Sequence, residues 1–369
     1  MSFNFFMPVR VIGGNDIISK HTDEFKKYGE KCLIVCGKSS AKKSCALDDI
    51  VSALNKNGIA FEICDFITQN PKTVDCHRAG KQARDFSADF IIGIGGGSQL
   101  DASKAVAVYA ADESLAPEDI YKKKISTPLP VILVGTTAGT GSEVTGVSVL
   151  TRESGKKKSV SGESYYAKVA FADPTYTYSV PYSFTVSTAI DAFSHAVESL
   201  FSNKADFNST NYAWRAIKPI WECLKFFCTN EALPTDKMRD TLYYSSLYAG
   251  MALNATGTCF PHTLGYTLTE DYNIPHGFAC AAFLPEFVHR ALQFKNELAM
   301  EFLSEIGASY PEFEKVIFSL IDTENVKMTK QQIFAYCENW HNIKNFENTP
   351  GGFSVTDAQD LLTKLFCKE

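Results

Sequence analysis

Asp89-Phe-Ile-Ile-Gly-Ile94-Gly-Gly-Gly-Ser98 is an apolar run that ends in a glycine loop, and Leu100 to Ala110 continues it with helical spacing. A short apolar run closed by turn residues reads as a strand buried on both faces, as in a parallel sheet. Working outward, the same unit repeats. Lys31-Cys-Leu-Ile-Val-Cys36 is an apolar run ending at Gly37. Leu47 to Lys56 has helical periodicity and stops at Asn57-Gly58, a common C-terminal signal. Ala60-Phe-Glu-Ile-Cys-Asp-Phe66 reads as another strand, Val74 to Phe86 as a helix, and Pro130-Val-Ile-Leu-Val-Gly135 as a further strand. Strands alternating with helices predict an α/β domain built on a doubly wound, mostly parallel sheet.

After about Ser179 the texture changes. Val186–Phe201, Thr210–Phe227, Arg239–Asn254, Ala279–Arg290 and Asn296–Ile306 all carry helical periodicity, and strand-like alternation nearly vanishes. Asp173-Pro-Thr-Tyr-Thr-Tyr-Ser-Val-Pro181 marks the boundary. The expected organisation is therefore an α/β domain over 1–181 and an all-helical domain over 182–369. There is no internal repeat and no low-complexity tract.

A chain of 369 residues is long enough for two such domains, each with its own core. Its 45% hydrophobic and 21% charged content excludes a disordered chain. The formal net charge of −6 argues against a nucleic-acid partner. The basic runs Lys122–Lys124 and Lys156–Lys158 read as solvated loops. Eleven irregularly spaced cysteines with no C-x-x-C pair read as reduced thiols. The opening Met1-Ser-Phe-Asn-Phe-Phe-Met-Pro8 has no basic region and only a short apolar run, so no signal peptide is expected. No stretch approaches 18 apolar residues, so no membrane span is expected. The expected compartment is the cytoplasm.

Gly95-Gly-Gly-Ser98 lies where a strand passes into a helix. Backbone N–H groups at a helix N-terminus favour a phosphate, and the missing Cβ atoms let a ligand approach closely. The loop does not fit G-x-G-x-x-G, and a plain tight turn is the alternative. Thr136-Thr-Ala-Gly-Thr-Gly-Ser-Glu-Val-Thr145 follows the next strand and is dense in hydroxyls and glycines. Two loops of this kind, both at strand C-termini, match where open α/β sheets bind nucleotides.

Within the helical half, Asp191 and His195 are four residues apart and project from one helix face. Alone, the pair reads as a surface contact. Its flanks are apolar, however: Ala189, Ile190, Ala192, Phe193, Ala196 and Val197. Ionisable groups on an apolar helix need a partner. Phe260-Pro-His262 and Ile274-Pro-His276 supply two more imidazoles. The chain has seven histidines, and His21, His77, His289 and His341 show no such pattern. One carboxylate with three imidazoles suits one divalent metal such as Fe(II) or Zn(II). Such an ion lowers the pKa of a bound alcohol or polarises an aldehyde.

Gly95-Gly-Gly-Ser-Gln-Leu-Asp101, the Thr136–Thr145 stretch, Asp191-Ala-Phe-Ser-His-Ala-Val-Glu198 and Pro275-His-Gly277 together resemble the iron-containing (group III) alcohol dehydrogenase family. Gly37-Lys-Ser-Ser40, Asn348-Thr-Pro-Gly-Gly-Phe353 and the stretch from His262 through Tyr266 to His276 resemble its 1,3-propanediol dehydrogenase-like branch. The resemblance implies a Rossmann-like nucleotide domain followed by a helical metal domain. It assigns the metal to Asp191, His195, His262 and His276. It places the cofactor diphosphate against Gly96, Gly97 and Ser98, with Asn70, Asp101, Thr136, Thr137, Thr140 and Thr145 nearby, and it aligns Lys158 with a lysine that approaches the cofactor. It also implies a homodimer with paired N-terminal strands.

Two positions depart from the family pattern. Many relatives carry a second histidine four residues after the one matching His262, and here that position is Tyr266. A tyrosine there contacts substrate or packs against a ring. NAD-preferring relatives often place an aspartate after the first strand, to bind the ribose 2′-OH. Here the position is Gly37, followed by Lys38, Ser39 and Ser40. Without the carboxylate a 2′-phosphate is not repelled, and Lys38 with the two hydroxyls suits it, so NADP(H) is expected over NAD(H). Asp65, at the end of the second strand, is the competing ribose contact. The implied activity is reversible hydride transfer between a primary alcohol or diol and its aldehyde. A glycerol dehydrogenase-like zinc enzyme and a dehydroquinate synthase-like lyase are the alternatives on the same architecture. A nucleotide sensor with a vestigial site is the non-enzymatic one.

Overall fold

The computed structural model describes residues 3–122, 127–230 and 232–367. Six parallel strands form the first half's sheet: β1 (Arg10–Gly13), β2 (Lys31–Cys36), β3 (Ala60–Cys64), β4 (Phe90–Gly95), β5 (Val131–Gly135) and β8 (Val169–Ala172). Their order is β1-β8-β5-β4-β2-β3. A separate antiparallel hairpin pairs β6 (Val147–Thr151) with β7 (Lys157–Ser161).

Alternation along each strand sends neighbouring side chains to opposite faces. In β2, Leu33 and Val35 join one buried cluster with Ile91, Leu133 and Ala105. Cys32, Ile34 and Cys36 join the other with Ile92, Val134 and Leu47. Helices therefore cover both faces, as the unbroken apolar strands require. Ala46–Lys56 covers one face, and Thr73–Asp85 with Gly97–Ala111 covers the other.

The register positions the loops. Gly95 of β4 lies opposite Gly135 of β5, and Thr136 N–H donates to the Gly95 carbonyl at 2.9 Å. Ile94 lies opposite Cys36 of β2. The turns that begin at Gly37, Gly95 and Thr136 thus emerge side by side, at the carboxyl ends of adjacent strands.

The second half is helical, with long helices at Tyr182–Phe201, Phe207–Asn230 and Asp236–Thr256. Two sequence expectations are corrected. Ala279–Arg290 is not one helix: it divides into His276–Ala281 and Leu284–Phe294, because Pro285 in the first turn of the second lacks the N–H that would continue the first. Lys157 and Lys158 lie in β7 rather than in a loop. β1 and β8, four residues each, are too short to show a pattern. Of the Lys122–Lys124 run, Lys123 and Lys124 lie outside the described residues.

The chain forms two compact units. One comprises Phe6–Pro181 with Thr235–Gly250, and the other Met1–Phe5, Tyr182–Pro234 and Met251–Glu369. The sixteen residues Thr235–Gly250 were expected in the helical half, yet they belong with the sheet. Arg239 donates to the Thr177 and Val180 carbonyls at 2.7 and 2.9 Å, and Tyr243 OH donates to Glu143 at 3.3 Å. Gly141, at φ 58°, is pressed against Gly250 so closely that a side chain on either would meet backbone. Among the described residues, no helix is long and apolar enough to cross a membrane.

Candidate functional site

In the helical unit, the helix Tyr182–Phe201 is buried on all sides over its last two-thirds, so it forms the unit's centre. Asp191 and His195 sit on it at 4% and 5% exposure, and Glu198 is fully buried one turn further on. His262 enters from the first turn of Phe260–Tyr272, and His276 is the first residue of His276–Ala281. Gly277 explains why His276 comes so close. A Cβ on Gly277 would strike the Ser187 carbonyl, so only glycine lets this helix end lie against the Asp191 helix.

Asp191 Oδ1 lies 3.6 Å from His262 Nε2 and 3.8 Å from His195 Nε2. The His195 and His262 rings stack at 4.6 Å, and those of His262 and His276 meet edge-on at 5.5 Å. Tyr266 stacks on His276 at 5.3 Å and 13°. All four ligand candidates are thus brought together. Cys280 joins them: one donor atom from each of Asp191, His262, His276 and Cys280 lies within 4.8 Å of every other.

The sequence reading assigned Glu198 no role. Its Oε1 is 2.5 Å from His262 Nδ1, and its Oε2 accepts the Cys259 N–H at 2.7 Å. A carboxylate only accepts, so Nδ1 carries the proton and Nε2 is the nitrogen facing Asp191. The spacing of Asp191, His195 and Glu198, four and then three residues apart on one helix, was the available signal.

Asp191 Oδ1 and His262 Nε2 are buried and have no hydrogen-bond partner. Each such atom costs ~1–3 kcal/mol unless something satisfies it, and a carboxylate oxygen facing an imidazole nitrogen is satisfied by a proton or by a cation. The residues therefore fit a divalent metal. Their pKa values follow the same demand. Burial pushes the Asp191 carboxyl up, but the imidazoles, His195 foremost, hold it well below the ordinary range. Burial likewise opposes a charged His262, yet Cys280, Glu198 and Asp191 raise it well above the ordinary imidazole range. An ion entering the site displaces the second proton, on Nε2, and leaves the one on Nδ1 with Glu198, so metal binding tightens as pH rises. Both Glu198 oxygens are in use, so Glu198→Gln must turn its amide NH2 towards either His262 Nδ1 or the Cys259 N–H and no longer fixes the His262 tautomer. Its metal affinity is expected to fall about 10–100-fold, read by competition with a chromophoric chelator, with the far-ultraviolet circular dichroism unchanged.

In the sheet unit, the helix Gly97–Ala111 starts at the glycine loop with no acidic residue in its first turn. A Cβ on Gly96 would lie 3.0 Å from Thr137 Oγ1, and one on Gly97 2.5 Å from Thr140 Cγ2, so the two loops are packed together. Ser98 Oγ accepts the Asn70 N–H at 3.3 Å, with Asn70 held at φ 56°. The other loop residues face inward. Both Asp101 carboxylate oxygens are engaged within the protein, by Ser142 Oγ at 2.6 Å and by the Val149 N–H at 2.8 Å. Thr136 and Thr145 are buried. Lys158 Nζ lies over the Tyr121 ring at 5.1 Å. Gly37 adjoins the loop helix, a Cβ there falling 3.6 Å from Gln99, while Lys38 and Ser39 are exposed.

The sequence reading also passed over Lys104. It is buried within the loop helix, and its Nζ donates to the carbonyls of Ser142, Thr145 and Val147 at 2.8, 2.9 and 2.7 Å and to Ser142 Oγ at 2.8 Å. A lysine followed by Ala105-Val-Ala-Val-Tyr-Ala110 was the signal.

A family model described as iron-containing alcohol dehydrogenase matches residues 8–174, and one described as Fe-containing alcohol dehydrogenase family, C-terminal, matches residues 185–334. Long-chain-alcohol dehydrogenase 1 of Geobacillus thermodenitrificans is 33% identical over 320 residues, covering 83% of this chain and 80% of its own. The chain belongs to the iron-containing alcohol dehydrogenase family. Another of its relatives is the 1,3-propanediol dehydrogenase of Citrobacter freundii, 32% identical over 77% of this chain and 74% of its own. The crystal structure of an iron-containing alcohol dehydrogenase from Thermotoga maritima superposes with a TM-score of 0.91 at 34% identity, over 99% of both chains. Butanol dehydrogenases named NADH-dependent are also among the matches. As a member of the iron-containing alcohol dehydrogenase family, the protein is an oxidoreductase, and its family uses a metal and a nicotinamide cofactor.

Proposed function

We propose that the protein interconverts a primary alcohol or diol and its aldehyde with NADP(H), in a reaction that needs one divalent metal, Fe(II) or Zn(II). Asp191, His195, His262 and His276 hold the ion, in a metal domain within 182–369 that leaves out Thr235–Gly250. The observation that carries this reading is the facing pair of buried, unpartnered atoms, Asp191 Oδ1 and His262 Nε2. When bound, the ion supplies a Lewis acid for the substrate oxygen. Glu198 keeps the free nitrogen of His262 turned to the site, and Asp191 supplies the negative charge. Tyr266, stacked on His276, is the side chain assigned to contact substrate.

For the cofactor, the nucleotide domain of 1–181 offers Gly96, Gly97 and Ser98 at the start of a fifteen-residue helix, where N–H groups and the helix dipole favour the diphosphate. Asn70, Thr137 and Thr140 stand beside that loop, while Asp101, Thr136 and Thr145 shape it from within. Lys158, 5.1 Å above Tyr121, is assigned to the cofactor by resemblance alone. A homodimer has a free sheet edge in β1, which pairs only with β8 among the described strands.

The preference for NADP(H) rests on Gly37, Lys38 and Ser39. No carboxylate follows β2, and an exposed cation and hydroxyls do. One charge-assisted hydrogen bond to a 2′-phosphate contributes ~1.5–3 kcal/mol, so kcat/KM with NADPH is expected to exceed that with NADH by about tenfold or more. Initial rates with both cofactors, over a panel of aldehydes, check this. A preference for NADH would instead assign the ribose to Asp65. Full turnover by chelator-stripped protein would reject the metal-dependent mechanism itself.

A further inference from the structure

Cys280 has no part in the reading above, yet it is closer to the other donors as a group than its sequence position suggests. It lies four residues after His276 on the same short helix, so both side chains leave one face. Its Sγ is 3.8 Å from each ring nitrogen of His276. The residue is fully buried. Among the described residues, the mutually close group of donors is Asp191, His262, His276 and Cys280, and it does not include His195. Two of the four, Asp191 and His262, present buried atoms with no hydrogen-bond partner, which points to a ligand shared by the group. The opposing helix makes room for the sulfur. A Cβ on Gly265 would lie 2.9 Å from Sγ, so a side chain there would push the thiol out of its position.

We propose that Cys280 is a further ligand of the metal, adding a sulfur donor to Asp191, His195, His262 and His276. The inference rests on the metal-centre reading. His195, 3.8 Å from Asp191 Oδ1, keeps its place among the ligands. As the ion binds, the thiol gives its proton to solvent and the sulfur's electron pair goes to the metal. Two consequences follow. A thiolate is a soft donor, so the site favours zinc over ferrous iron more strongly than an oxygen and nitrogen set does. Two anionic ligands also cancel the formal charge of a divalent ion, which leaves a weaker Lewis acid than Asp191 alone would leave.

Cobalt(II), loaded into the full-length metal-free protein, tests this by spectrum rather than by turnover. The expected result is one bound cobalt with a near-ultraviolet sulfur-to-metal charge-transfer band. In Cys280→Ser that band disappears while visible d–d bands remain, and zinc affinity falls by more than about tenfold, since loss of a supporting residue alone costs that much. Stoichiometric cobalt with d–d bands but no charge-transfer band in the unmodified protein overturns the role of Cys280 and leaves the metal centre standing. No cobalt or zinc binding at all overturns both. Should Cys280→Ser fail to fold, X-ray absorption of the unmodified zinc form decides the matter by the presence or absence of a sulfur neighbour.

Discussion

His276→Ala is expected to lose its metal and its turnover together while NADP(H) binding persists. His276 is held on three sides. Its ring stacks on Tyr266 at 5.3 Å and meets His262 edge-on at 5.5 Å, and the next residue, Gly277, is pinned against the Ser187 backbone. The backbone thus stays in place when the imidazole goes, and the change removes a donor rather than a fold. Of the four assigned ligands Asp191, His195 and His262 remain, and a set one donor short binds the ion more weakly. A Lewis acid contributes several kcal/mol at the transition state, so kcat should fall on the order of a thousandfold. The nucleotide loops belong to the other unit, and their affinity, read by the fluorescence change of NADPH, should move less than about twofold. Metal content and kcat measured on the same sample check the link. A variant that keeps its metal and its turnover would remove His276 from the centre. One that also loses NADPH would show a collapsed structure.

Lys104→Met is expected to destabilise the sheet unit strongly. Burial pushes the Lys104 ammonium down to about 8, against the pull of Asp101 and Glu143, so it is still charged at neutral pH. Three carbonyls and one hydroxyl between Ser142 and Val147 accept its protons. Methionine fills the volume but donates nothing. It leaves those carbonyls unsatisfied and two buried carboxylates, Asp101 and Glu143, without their cation. Breaking a buried charge pair costs ~3–5 kcal/mol, or roughly 10 °C of melting temperature for a unit of this size. Because the same carbonyls fix the end of the Thr136–Thr145 loop, NADPH affinity should weaken as well, with metal content unchanged. A melting temperature within about 2 °C of the unmodified protein would show the lysine to be dispensable.

The two residues differ in how far the sequence announced them. His276 follows a proline and precedes a glycine and an apolar helix, so its placement at a helix start was readable locally. Lys104 was visible only as a cation in an apolar run, and its acceptors lie about 40 residues away. Glu198 stood in a quoted motif without a role, because its partner His262 is 64 residues distant and no periodicity links them. Asp101 was read as a cofactor contact, whereas its two oxygens are engaged by Ser142 and Val149, more than 40 residues on. The helix after Thr235 was readable as a helix but not as a part of the sheet unit, since an apolar stripe does not say which core it faces.

By itself, then, the sequence determined what is encoded over a few residues. It set the apolar strands that must be buried on both faces, the glycines at two strand ends, and a carboxylate and imidazole one helical turn apart. Those features follow from local geometry and from which groups tolerate burial. Only the tertiary structure decided which nitrogen of His262 is free, that Cys280 joins the donor group, and that Lys104 ties one loop to another. Each of these depends on side chains from distant segments meeting in a closely packed interior, where a shift of one helix by a single residue would bring a different partner into reach.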